Sequence, residues 1–189
     1  TVDVLLAATA KTLLRVGYDR ASTNRIALEA GVSIGSLYQY FPNKEALVAA
    51  LIDRHTDEME ERCQTALAGA AGASLVEAAF GTVRAMVAAH SVDPKLHALL
   101  LEQVPRVGKL KRIDTLHDDA TMMVKALLEA KKDELKVDDL ELAAFFIVET
   151  VDSLIHATLS KRLGRWNEER LTQEIVRVVV TYLTGAFDV

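Results

Sequence analysis

Cysteine, proline and glycine are scarce in this 189-residue chain, which holds one Cys, three Pro and nine Gly. The lone thiol, Cys63, forms no internal disulfide, so a disulfide framework is excluded. Collagen-like and low-complexity chains need far more glycine and proline, and a disordered chain would not be 50% hydrophobic with 26% charged residues. No apolar run approaches the roughly 18 to 20 residues of a membrane span. No basic segment followed by an apolar stretch and a cleavage site opens the sequence. A cytoplasmic protein with no membrane partner is therefore expected. What is abundant is Ala, Leu, Val and Glu, a composition that points to an all-helical chain.

Charge is distributed unevenly. The net charge of -5 argues against coating nucleic acid by bulk electrostatics, but not against a locally neutral binding face on an acidic body. Residues 1–53 balance: Lys11, Arg15, Arg20, Arg25 and Lys44 offset Asp3, Asp19, Glu29, Glu45 and Asp53. The whole deficit lies in residues 54–189, so the first quarter of the chain is electrically a different object from the rest.

Helical periodicity runs nearly from end to end. Leu5, Leu6, Thr9, Leu13 and Val16 share one face of a first helix, closed by Gly17 as a left-handed cap. Ser22 or Thr23 caps a short second helix that stops at Gly31. Ser33 starts a third, and Pro42-Asn43 ends it and caps a long fourth reaching about Leu67. Ser74 and Glu77 make a capping box for a fifth, and Asp93-Pro94 opens a sixth that Pro105 and Gly108 close. A basic cluster, Arg106, Lys109, Lys111 and Arg112, precedes a seventh helix to about Glu134. Asp138 opens an eighth to about Leu163, and Asn167 a ninth that fades near Gly185. The run Val178 to Val180 also reads as a strand, but the 3.6-residue spacing from Leu171 favours helix.

Residues 22–41 read STNRIALEAGVSIGSLYQYF. Two short helices meeting at a tight turn need a small residue where backbones approach, a glycine at the turn and apolar anchors behind the second helix. Ala27, Gly31, Val32 and Leu37 sit at those offsets, with Ile26 and Ala30 completing the inner face. A generic helical hairpin carries the same small and apolar residues. The outward residues tip the balance: Ile34, Gly35, Ser36, Tyr38 and Gln39 include no carboxylate. A face meeting base edges and phosphates favours hydroxyl, amide and aromatic side chains, with glycine where the backbone must come close. Thr23, Tyr40 and Lys44 flank it at helix starts, where donors can hold phosphates.

These residues resemble the TetR-type transcriptional regulators over roughly positions 5–52. The shared pattern includes Ala7-Ala8, Gly17-Tyr18, Ser22-Thr23, Ile26-Ala27, Ala30-Gly31-Val32-Ser33, Gly35, Leu37-Tyr38, Tyr40-Phe41, Lys44 and Leu47. The resemblance implies that Thr23, Tyr40 and Lys44 contact phosphates, and that Ser33, Ile34, Gly35, Ser36, Tyr38 and Gln39 line the major groove of double-stranded DNA. Family members often carry a basic arm ahead of the first helix. None stands before Leu5 here, so any contacts it makes lie outside this chain.

The last two helices are apolar around much of their circumference. Ala144, Ile147, Val148, Val151, Leu154, Ile155 and Leu159 fill one broad face of the eighth, while Leu142, Phe145 and Phe146 begin the opposite face. Such helices suit a homodimer, with Ile155, Leu159, Val179 and Leu183 expected at the interface on a palindromic operator. Glu149, Asp152, Ser153 and His156 continue the face of Phe145 and Phe146, and a stripe turning from aromatic to polar suits a cavity for a small apolar or amphipathic ligand. Exposed surface or a polar dimer seam has the same pattern. Met86, His90, Met122 and Met123 are candidate walls, though methionine at helical spacing is usually plain core.

His55, His90, His97, His117 and His156 fall on five helices without ligand spacing, and no catalytic triad or Gly-rich phosphate loop is present. No metal, no cofactor and no enzyme activity are expected. Cys63 reads as an ordinary half-buried thiol rather than a redox sensor. The expectation is an all-α chain of about nine helices, with a helix-turn-helix DNA-binding domain over 1–46 and a helical regulatory and dimerisation domain over 47–189. Its function would be that of a homodimeric repressor released by a small ligand; a helical enzyme or scaffold with a hairpin that merely looks alike is the alternative.

Overall fold

The computed structural model describes residues 1–70, 72–107, 110–161 and 167–185, without the side chains of 104–107, 110–116 and 159–161. The basic cluster at Arg106, Lys109, Lys111 and Arg112 and the side chain of Leu159 therefore lie outside the described residues. The described elements are α1 (Val2–Arg20), α2 (Thr23–Ala30), α3 (Ile34–Tyr40), α4 (Lys44–Gly69), α5 (Leu75–Ser91), α6 (Pro94–Val107), α7 (Leu110–Ala130), α8 (Leu140–Lys161) and α9 (Glu168–Thr184), with a short 3-10 turn at Lys132–Glu134. No strand occurs among the described residues, and Val178 to Val180 are helical. None of the described helices is long and apolar enough to cross a membrane.

Helix starts follow the local chemistry. Ser22 Oγ accepts from Arg25 N at 3.4 Å, Ser33 Oγ from Ser36 N at 3.0 Å, and Asn43 Oδ1 from Ala46 N at 2.7 Å. The Ser74–Glu77 capping box forms in both directions, and Asn167 caps α9. Three expectations are corrected. Gly17 breaks α1 with φ 74° and ψ 167°, which is not a left-handed cap but a region essentially reserved for glycine. α6 runs through Pro105 and ends at Val107: the missing proline N–H costs the ladder one hydrogen bond without stopping the helix at that residue. Asp139, not Asp138, caps α8, its Oδ1 accepting from Glu141 N and Leu142 N.

The chain forms two compact units. The first comprises Thr1–Asp57 and Asp93–Arg112. Leu5, Leu13, Ile26, Leu37, Leu47 and Leu51 form its buried centre, and α6 packs on α1. The second comprises Glu58–Val92 and Ile113–Val189. Its core gathers Leu75, Val83, Val87, Leu128, Ala144, Val151, Ile155, Ile175, Val179 and Leu183, with α5, α8 and α9 packed on one another.

Candidate functional site

α3 is seven residues long, far too short to persist alone in water. Leu37 holds it in place: its side chain is fully buried against the first unit, a contribution of about 1.5–3 kcal/mol. Gly31 makes the turn before it with φ 70° and ψ 26°, the left-handed conformation that glycine adopts without steric cost. Glu29 on α2 accepts from Lys11 and Arg15 on α1 at 2.5 and 2.9 Å, tying the two supporting helices together. The hydrogen bond from Lys11, then its charge and that of Arg15, outweigh partial burial and hold the Glu29 carboxyl below the ordinary carboxylate range.

With Leu37 turned inward, the opposite face of α3 is open. Ile34, Gly35, Tyr38, Gln39 and Tyr40 are exposed, Ser33 is exposed at the cap, and Ser36 is half-buried. Val32, expected inside, is half-buried. The Tyr38 hydroxyl lies 3.1 Å from that of Thr23, linking the start of α2 to the outer face of α3. Gly35 is informative because nothing inside the protein requires it. A Cβ built there meets only Ser33 Oγ, at an ordinary 3.8 Å.

Lys44 is more engaged than its sequence position suggests. Its Nζ donates to the Tyr18 carbonyl at 3.0 Å and stands 4.0 Å over the Tyr18 ring. The Tyr18 hydroxyl in turn donates to Glu45 Oε1 at 3.3 Å. The ammonium thus secures the end of α1 while retaining further N–H donors.

In the second unit the residues expected around a ligand separate into three places. Met86 lines an apolar cavity of about 60 Å³ together with Ala79, Thr82, Val124, Leu127 and Ile147. Phe145, Phe146 and Met122 do not wall it: they are exposed by 51%, 52% and 62%, and Phe146 stacks on Tyr182 with ring centroids 6.3 Å apart. The reason is helical geometry, since turning Ala144, Val148 and Val151 into the core sends Phe145 and Phe146 to the other side of α8. Ser153 is exposed on the same helix, and Met123 is half-buried. The expected interface residues Ile155, Val179 and Leu183 are also corrected. At 0%, 6% and 1% exposure they belong to the protomer's own core, because one broad apolar face of α8 and α9 is consumed in packing on α5.

His90, Glu149 and His156 form the third place, joined by His117 and Asp152. Asp152 Oδ2 accepts from His156 Nδ1 at 2.8 Å and lies 4.0 Å from His117 Nε2, while Oδ1 lies 3.9 Å from His90 Nε2. His117 Nδ1 donates to Glu149 Oε1 at 3.1 Å. Burial pushes the Asp152 carboxyl up, but the hydrogen bond from His156 and the charges of His156, His117 and His90 bring it below its ordinary value. Burial, then the charges of Asp152 and Glu60, push the Cys63 thiol up to about 11. The sequence pattern already placed Glu149, Asp152 and His156 on one stripe of α8 with His90 as a candidate wall; His117 was not among the candidates, because it comes from α7 and no local spacing ties it to α8.

Comparison with known proteins is consistent with both units. Residues 5–51 match the family described as bacterial regulatory proteins, tetR family, and residues 74–183 match the tetracyclin repressor-like, C-terminal domain. The HTH-type transcriptional regulator BetI of Cronobacter sakazakii is 27% identical over 182 residues, covering 92% of this chain and 87% of that protein. A crystal structure of a putative transcriptional regulator from Pseudomonas aeruginosa superposes with TM-score 0.77 at 25% identity, covering 97% of this chain and 90% of that one. The transcriptional regulator FadR of Bacillus subtilis, solved in complex with stearoyl-CoA, superposes with TM-score 0.76 at 19% identity, covering 97% and 100%.

Proposed function

The chain belongs to the tetR family of bacterial regulatory proteins and is a DNA-binding transcriptional regulator, and from that premise we propose that it acts as a homodimeric repressor that a small apolar or amphipathic ligand releases from a palindromic operator. The observation that carries the DNA reading is the outer face of α3: Ile34, Tyr38, Gln39 and Tyr40 stand exposed without a carboxylate, around a Gly35 that the protein's own packing does not need. A side chain is dispensable inside and unwelcome outside where a backbone must approach a groove or phosphate. Thr23 and Lys44 hold phosphates, and Ser33, Ser36, Tyr38 and Gln39 read base edges.

The exposed strip of Leu142, Phe145, Phe146, Val178 and Tyr182 on α8 and α9 supports the dimer. A contiguous apolar surface of this kind is costly in water, and a two-fold axis through it brings four helices into one bundle. Two α3 helices then address successive major grooves about 34 to 36 Å apart, or a multiple of it. The apolar cavity behind Met86 supports the ligand reading, as does the stearoyl-CoA held by the structural neighbour from Bacillus subtilis. At about 60 Å³ it is well below the roughly 300–1,000 Å³ of a ligand site, so a ligand entering there must part the helices around it. α4, which contributes residues to both units, transmits that movement. The protein's work is binding rather than catalysis.

The test is selection of bound sequences from random DNA, followed by affinity measurements on the site found. Tyr38→Ala and Gln39→Ala should each weaken specific binding by about 1–3 kcal/mol and alter sequence preference. Lys44→Ala should weaken all sequences alike and flatten the salt slope by about one unit. Gly35→Ala separates folding from recognition. It should raise helix stability by about 0.5–1 kcal/mol in the free protein while weakening operator binding. Recovery of no enriched sequence, or full operator affinity in Gly35→Ala, would overturn the reading.

A further inference from the structure

A threonine inside a helix ordinarily turns its hydroxyl back to the carbonyl one turn earlier. Thr65, Thr158 and Thr184 of the second unit do so, donating to Glu61, Leu154 and Val180 at 2.8 Å in each case. Thr82, in the middle of α5, does not: its Oγ1 is buried and has no hydrogen-bond partner among the described residues. The same residue lines the cavity behind Met86. Every other described residue lining that cavity is Ala, Val, Leu, Ile or Met, and all of them belong to the second unit. Thr82 thus brings a lone hydroxyl to walls that otherwise carry no polar side chain, no charge and no aromatic ring.

We propose that the ligand lodged there is a neutral aliphatic molecule whose hydroxyl or carbonyl oxygen pairs with Thr82, which makes Thr82 a specificity-determining residue of the site. The inference deepens the ligand-released reading above and rests on it. The Thr82 hydroxyl is already stripped of water and has no bond to surrender, so rotation about Cα–Cβ presents it to the cavity without breaking one. A hydroxyl both donates and accepts, and so serves a carbonyl and an alcohol alike. A pure hydrocarbon suits the walls but leaves the hydroxyl unsatisfied. Water is a poor competitor, since a buried water is held by about two to four polar partners. A charged group is poorer still. No described basic side chain lines the cavity to pair a carboxylate and no acidic one to pair an amine, so either charge would be buried alone.

The test uses the full chain without DNA, and short probes that suit a cavity of about 60 Å³. Affinities for n-hexane, methyl butyl ketone, the corresponding secondary alcohol and hexanoate are measured by calorimetry at neutral pH on the wild type, Thr82→Val and Thr82→Ser. Thr82→Val keeps the shape and removes the hydroxyl. It should weaken the ketone and the alcohol about tenfold and leave hexane as tight as before. Thr82→Ser should hold the ketone and the alcohol within about threefold of the wild type, because it retains the hydroxyl. Hexanoate should bind the wild type at least about tenfold more weakly than the ketone. Without any ligand, Thr82→Val should melt at the wild-type temperature or above it, whereas loss of a hydroxyl that held a structural hydrogen bond would lower it. A lowered melting temperature in Thr82→Val, a ketone-to-hexane affinity ratio that this variant leaves unchanged, or hexanoate bound as tightly as the ketone would each overturn the assignment while leaving the cavity a ligand site. Failure of all four compounds to bind the wild type would overturn the cavity as the ligand's place, and this assignment with it.

Discussion

Phe146 offers the sharpest test of how the protomers associate. It is 52% exposed, beside Phe145 at 51% and stacked on Tyr182. A phenylalanine presents about 150–250 Å² in all, so about 100 Å² of it remains in water in the protomer. Covering that area is worth about 2.5 kcal/mol at 25 cal/mol/Å², and about 5 kcal/mol for the two copies in a two-fold dimer. Association never returns the full area value, because ordering and imperfect desolvation consume part of it. About half of that figure is a fair expectation, which is close to a hundredfold in the dimer dissociation constant. Phe146→Ala should therefore raise the constant about a hundredfold in sedimentation equilibrium, leave the protomer's helical content intact, and reduce operator affinity in step with the loss of dimer. Ile155→Ala is the contrast. Its side chain is fully buried in the protomer, so the substitution should cost about 2–5 kcal/mol of folding stability instead. The reasoning fails if Phe146→Ala changes dimerisation less than threefold, or if the wild type is monomeric at micromolar concentration.

Three further expectations follow from the cavity, the α1–α2 tie and the thiol. Ala79→Leu should occupy the cavity behind Met86 and reduce ligand-induced operator release at least tenfold in operator titrations with and without a panel of fatty acyl compounds, and release unchanged from the wild type would refute the cavity as the ligand's entry. Because the Glu29 carboxyl titrates below its ordinary range when folded, its contribution is present above that range and is lost as pH falls through the folded value. The stability gap between wild type and Glu29→Gln in urea should then be largest near neutrality and close only as pH falls below the ordinary carboxylate range, and a gap that widens on acidification would refute it. Cys63, pushed up to about 11, should react with a thiol reagent at pH 8 about a hundredfold more slowly in the folded protein than in the denatured chain; equal rates would contradict its burial.

What the sequence by itself determined was local. Ser22, Ser33, Asn43, Ser74 and Asn167 start their helices because a short polar side chain reaches an amide three residues on, an interaction that needs no tertiary partner. The turn at Gly31 and the inward Leu37 follow from the same short range, so the outer face of α3 is legible in the sequence alone. Tertiary structure decided everything that depends on which side of a helix meets which neighbour. Two apolar faces on α8 look alike in sequence. Only packing on α5 and α9 assigns Ile155 to the core and Phe145 and Phe146 to the surface. α6 joins the first unit by packing on α1, across more than seventy residues of chain, with no local signature of its own. Three histidines on three helices became neighbours of one carboxylate because their separation along the chain says nothing about their separation in space, and that distance is set by the packing of α5, α7 and α8.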